Sequence, residues 1–121
     1  MRLFMSLCFV TILTSCTDRQ GIEFIIYNNS QLTIDSVIVT TTNLESKIRL
    51  DDIKPGLDKI AFLNMDNISK VDGDYSVEII TDSITYKNKI GYYTNGFPSE
   101  RKIEIWFSQD SIKYKPTLRA D

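Results

Sequence analysis

The chain has 121 residues, with fourteen basic and sixteen acidic side chains, two cysteines and no histidine. That length suits one domain of ordinary size, and cations scattered among acids argue against a nucleic-acid binder, which clusters them on one face. Lack of histidine rules out Ser-His-Asp and Cys-His catalysis and removes the usual nitrogen ligands of zinc, and if neither cysteine stays a free thiol only oxygen chemistry survives: carboxylate pairs, calcium loops or serine-lysine arrangements.

The N-terminus carries an address. Arg2 precedes an apolar run, Leu3 to Leu13, that closes at Leu13-Thr14-Ser15-Cys16. The run is too short to cross a bilayer, which takes about 20 residues. A secretory signal would end small-x-small before its cut, and Thr11, Ile12 and Leu13 fit that poorly. Leu-x-small-Cys fits better, and the segment resembles the lipobox of bacterial lipoproteins. The resemblance implies that residues 1–15 are a cleaved signal peptide and that Cys16 receives a diacylglycerol as the new N-terminus. It also implies a membrane attachment through Cys16, with residues 16–20 as anchor and tether. Thr17 stands where an aspartate retains some lipoproteins in the inner membrane, which implies the outer membrane as the place in the cell envelope. Processing removes Arg2 and Cys8, and acylation takes Cys16, so no thiol is left for a disulfide and stability must come from the core.

Behind the tether, Ile22 to Tyr27 is rich in β-branched and aromatic residues and ends in the turn-forming Asn28-Asn29-Ser30, a first strand and its turn. Thr33 to Thr42 sets Ile34, Val37, Ile38 and Val39 among threonines, which favours a second strand. Lys47 to Asp51 alternates charged and apolar residues, with Ile48 and Leu50 inward. After the Pro55-Gly56 turn, Lys59 to Leu63 reads as a fourth strand. Asn64 to Val71 places Met65, Ile68 and Val71 at helical spacing, but its Asn and Asp content points to a loop or a single helical turn. Tyr75 to Thr81 is the clearest strand, with Tyr75, Val77, Ile79 and Thr81 on one face. Ile84-Thr85-Tyr86 opens a run that continues to Thr94, and Asn95-Gly96 is a hairpin signal, since a type I′ turn needs positive φ at both central residues. Pro98 and Ser99 suggest a longer loop there. Arg101 to Phe107 puts Ile103, Ile105 and Phe107 on one face against Lys102, Glu104 and Trp106, and Ser111 to Lys115 makes an edge strand before Pro116. Residues 21–116 are thus one domain, and 117–121 a polar tail.

Seven or eight short strands with turn chemistry between them predict an all-β fold, an antiparallel sandwich. Ile53-Lys54-Pro55-Gly56 followed by Asp72 to Val77 is similar to the Pro-Gly and Gly-x-Tyr pattern of immunoglobulin-like and prealbumin-like modules, which share a fold without sharing a function.

Three groupings bear on chemistry. Asp66, Asn67, Asp72 and Asp74 offer calcium oxygens, but not at the alternate positions of a calcium loop, and Asp and Gly serve equally as turn residues. Asp51-Asp52 on one strand would point to opposite faces and not converge. The aromatics of the last third gather near the hairpin, and Tyr93, Phe97 and Trp106 are the expected contact residues for a protein or glycan partner. The alternative for them is cross-strand pairing that only stabilises a sheet. The reading is a non-enzymatic envelope module without metal or cofactor. The rival is an inhibitor or immunity-type protein that blocks an enzyme.

Overall fold

The computed structural model describes residues 20–109 and 111–119. Cys16 and the segment read as signal and anchor lie outside them. Among the described residues nine strands follow one another: β1 Gly21–Asn28, β2 Ile34–Thr41, β3 Lys47–Ile53, β4 Asp58–Asn64, β5 Gly73–Ile80, β6 Thr85–Thr94, β7 Phe97–Pro98, β8 Glu100–Ser108 and β9 Ser111–Leu118. They form two sheets, ordered β4-β1-β8-β9 and β3-β2-β5-β6-β7. Every pairing is antiparallel except β1 with β8, which run parallel.

The two sheets share one core, a sandwich-like arrangement. Ile22, Phe24, Ile26, Leu63, Ile103, Ile105 and Phe107 come from the four-stranded sheet, and Ile34, Val37, Val39, Ile53, Tyr75, Val77, Ile79, Ile90 and Tyr93 from the other. The alternation read in the sequence is the cause. On β5, Tyr75, Val77 and Ile79 are fully buried while Ser76 and Glu78 between them are partly exposed. Ring contacts lock the two layers: Phe24 meets Tyr75 edge-on at 5.4 Å, and Tyr86 meets Phe107 at 5.2 Å. Such pairs are worth about 0.5–1.5 kcal/mol beyond their buried area.

Several boundaries differ from the sequence reading. The stretch expected to hold a loop or a single helical turn is the end of β4 at Asn64 followed by turns and bends over residues 65–71, without a helix, with Met65 fully buried and Val71 44% exposed. The last strand passes through Pro116 to Leu118, which an outer edge permits because proline's missing N–H is not needed there. Residues 117–119 are therefore no loose tail. Arg119 returns to the domain, donating from Nη2 to the Gly21 carbonyl at 2.6 Å and from its backbone N–H to Ser99 O at 3.2 Å.

Two bulges reset the alternation. On β6, Tyr93 pairs with Gly73 and Ile90 with Tyr75, so two residues, Gly91 and Tyr92, oppose Asp74 alone. Gly91 sits at φ +71°, where a side chain would run into Ile103 and Tyr75. The extra residue turns everything beyond it to the other face. On β8, Glu100 pairs with Leu118 and Lys102 with Thr117, which makes Arg101 the extra residue. Glu100 is thereby turned inward and left 5% exposed.

Asn28 closes the opposite end of the domain. It is fully buried, and its Nδ2 donates to Leu32 O at 2.7 Å and Ile53 O at 2.8 Å. Its Oδ1 accepts from Ser30 N at 3.0 Å and Ser30 Oγ at 2.6 Å. A residue read as turn chemistry is thus a strut between β1 and β3.

Candidate functional site

The hairpin at Asn95-Gly96 forms as its dipeptide predicts: φ is +53° and +75° at the two positions, and Thr94 pairs with Phe97 across the turn. The longer loop expected from Pro98 and Ser99 is instead the short β7 strand and a crossover to the other sheet. That crossover separates the three expected contact residues.

Tyr93 is a correction. Only 1% exposed, it packs its ring against Tyr75 at 5.5 Å, and it belongs to the core. Strict alternation from the inward Ile90 would place Tyr92 inside and Tyr93 outside, and the Gly91 bulge exchanges them. Tyr92 is the exposed one, at 48%. Phe97 is half exposed, as expected, with the Arg119 guanidinium 5.0 Å from its ring centre. Trp106 lies elsewhere, six residues along β8 from Glu100 and so about 20 Å from that end. It is half-buried on the outer face of the four-stranded sheet, stacked on Tyr27 at 5.2 Å with the planes 8° apart. Tyr27 Oη donates to Glu104 Oε2 at 3.1 Å, and burial first, then that carboxylate, raises its phenol's pKa. Cross-strand pairing with Tyr27 thus covers part of Trp106. No common patch joins Tyr93, Phe97 and Trp106.

The acidic residues near the hairpin are occupied in holding loops. Asp72 accepts from Asn95 N at 2.9 Å, Asp66 from Gln20 N at 3.0 Å, and Asp74 from Thr42 Oγ1 at 3.1 Å. Both oxygens of Glu45 take Ser69, one from its hydroxyl and one from its amide, and these bonds lower the Glu45 pKa. Among the described residues no three acidic, histidine or cysteine side chains gather as a metal site. Asp51 is paired with Arg49 at 2.8 Å, and Asp52 has left-handed backbone at φ +54°. A shallow cleft of about 350 Å³ runs between Thr42, Asp72, Asp74, Lys89 and Tyr92. It holds hydroxyls, carboxylates and one amine, and the Thr42 hydroxyl is spent on the Asp74 carboxylate and backbone carbonyl.

Glu100 is an acid held nearly out of solvent. Burial raises its pKa, against the opposing pull of the Tyr92 amide and its own backbone N–H. The Tyr92 bond is long, 3.4 Å, so the carboxylate serves the bulge amide weakly.

The feature that the sequence did not disclose is how the chain ends and loops cluster. Gln20 donates from Nε2 to Gly96 O at 2.9 Å, and its carbonyl accepts from Met65 N at 2.8 Å. Gly96 N donates to Val71 O at 2.9 Å. Ser46 Oγ donates to Asn64 O, which joins the β2–β3 turn to the same group. The start of the domain, the hairpin, the 65–72 loop, the 42–46 turn and Arg119 therefore occupy one end.

No family model matches the chain, and no curated protein matches it. Among solved structures, the NMR structure of a protein from Eubacterium rectale is similar, with a TM-score of 0.56 at 7% sequence identity over 84% of this chain and 94% of that one. That likeness is one of fold.

Proposed function

We propose that the protein is a lipid-anchored module of the bacterial cell envelope, a β-sandwich of immunoglobulin-like or prealbumin-like type that binds or supports a partner without catalysing a reaction. The observation that carries this is the juxtaposition of Leu13-Thr14-Ser15-Cys16 with a domain whose first strand opens at Gly21. A tether this short serves attachment and leaves no room for a second folded unit. Thr17 after the anchor favours the outer membrane. The carboxylates around the hairpin are occupied in holding loops, which favours recognition over chemistry.

Of the expected contact residues, Trp106 with Tyr27 supplies aromatic surface on the outer face of the four-stranded sheet, where Ile60 on β4, paired with Ile25, is 57% exposed. A protein or glycan partner would find an apolar body there with polar rims. Each buried CH₂ of an acyl chain is worth about 0.8 kcal/mol, and two or more chains hold a protein on the membrane. Cys16→Ala should therefore move the protein from the membrane to the soluble fraction and abolish fatty-acid labelling. Retention on the membrane refutes the anchor. Co-purification from solubilised membranes should recover an envelope partner that Trp106→Ala loses. A tight stoichiometric complex with an enzyme would favour the inhibitor reading instead.

A further inference from the structure

We infer that the loop end of the domain, displaying Leu44, Val71, Phe97 and Leu118, is a membrane-docking surface that seats in the lipid interface beside the anchor. The inference rests on the proposed lipidation of Cys16.

The first ground is reach. From Cys16 to Gln20 the chain can extend at most about 14 Å, and Gln20 is bonded into the 65–72 loop and the hairpin. An anchor at Cys16 holds that end against the lipid head groups. The second ground is what the end displays. Leu44 is 75% exposed, Leu118 68%, Phe97 50% and Val71 44%. Leu44 lies in the β2–β3 turn, Val71 bonds the hairpin, Phe97 follows it, and Leu118 ends β9 beside the first residue of β8. All four therefore sit at the end where β1 begins.

The third ground is Leu44 itself. Its φ is +57°, a left-handed conformation that glycine or asparagine takes readily and a leucine takes at a cost. Neither turn geometry nor the core asks for leucine here, since three-quarters of the residue stays in solvent at the rim of a shallow polar hollow. An apolar side chain kept exposed on a left-handed turn tip, at the end of the domain where β1 begins, fits insertion among acyl chains. Arg119, stacked on Phe97, places a cation at head-group level above that ring. The occupant is a phospholipid surface, engaged through apolar insertion.

The test uses mature lipidated protein reconstituted in phosphatidylcholine vesicles containing brominated acyl chains, which quench tryptophan at close range. Trp106 is the sole tryptophan and reports the region about 20 Å from the docking end. In a Trp106→Phe background, Phe97→Trp and Leu44→Trp should each be quenched by about half or more, as expected of side chains set several ångströms into the interface. Native Trp106 should be nearly unquenched. Leu44→Gly should reduce quenching at Phe97→Trp while leaving the fold as stable or more so. The docking orientation is overturned if protein carrying the fatty-acid label shows quenched Trp106 and unquenched Phe97→Trp. Blue-shifted but unquenched emission at Phe97→Trp means that another protein chain covers this end, and also overturns it. Absence of the fatty-acid label overturns the anchor itself, and the docking with it.

Discussion

Exchanging the roles of Tyr93 and Phe97 has a measurable consequence. Tyr93 is 1% exposed against Tyr75, and Phe97 is half exposed under Arg119. Truncating a buried aromatic costs about 3–5 kcal/mol, because transfer energy is lost and a cavity remains. For Phe97 only part of a side chain worth roughly 1.5–3 kcal/mol is removed from water, and an exposed cation–π contact adds about 0.5–1 kcal/mol. Tyr93→Ala should therefore destabilise by about 3–5 kcal/mol and Phe97→Ala by about 1–2 kcal/mol. In urea, with a slope of about 1.5 kcal/mol/M for a domain of this size, the first lowers the midpoint by roughly 2–3.3 M and the second by roughly 0.7–1.3 M. Equilibrium unfolding of the soluble domain followed by circular dichroism reads both. Equal shifts, or a larger one for Phe97→Ala, would mean that the bulge at Gly91 does not turn Tyr93 inward.

Asn28→Ala should cost roughly 2–4 kcal/mol, since it strands the Leu32 and Ile53 carbonyls and the Ser30 donors in a buried corner; thermal unfolding checks it, and a loss near zero would contradict the strut. Glu100 predicts a pH dependence. A carboxyl whose folded-state pKa lies above its ordinary 4.5 ionises first in the unfolded chain, so its share of stability is present below 4.5 and declines as pH rises through the folded value. Glu100→Gln should remove that decline and raise the melting temperature at pH 7, and an unchanged pH profile would mean that the carboxylate is hydrated.

Much of the fold was legible because local patterns agreed with their surroundings. The alternation of Tyr75 to Ile79 and of Ile103 to Phe107 fixed which faces are buried, and Asn95-Gly96 fixed its turn by needing two positive φ angles. What was not legible depended on partners distant in sequence. Tyr93 and Glu100 both follow from bulges, each of which adds one residue and reverses the face of what lies beyond. Gly91 was the available signal for the first, since a glycine inside a strand often marks a bulge. Sequence order sets Trp106 beside the hairpin only if β8 is its second strand, whereas Phe97-Pro98 fills that role and β8 joins the other sheet. Pairing is a tertiary choice. Likewise, the sequence alone could not show that Gln20, Leu44 and Gly96 meet at one end, 76 residues apart in the case of Gln20 and Gly96.

The anchor is tested most directly by the intact mass and N-terminal fragmentation of the protein extracted from its own membranes. Residues 1–15 should be gone, and the first residue should be Cys16 carrying a thioether-linked diacylglycerol. A chain that begins elsewhere, or begins at Cys16 with an unmodified thiol, would contradict lipid anchoring.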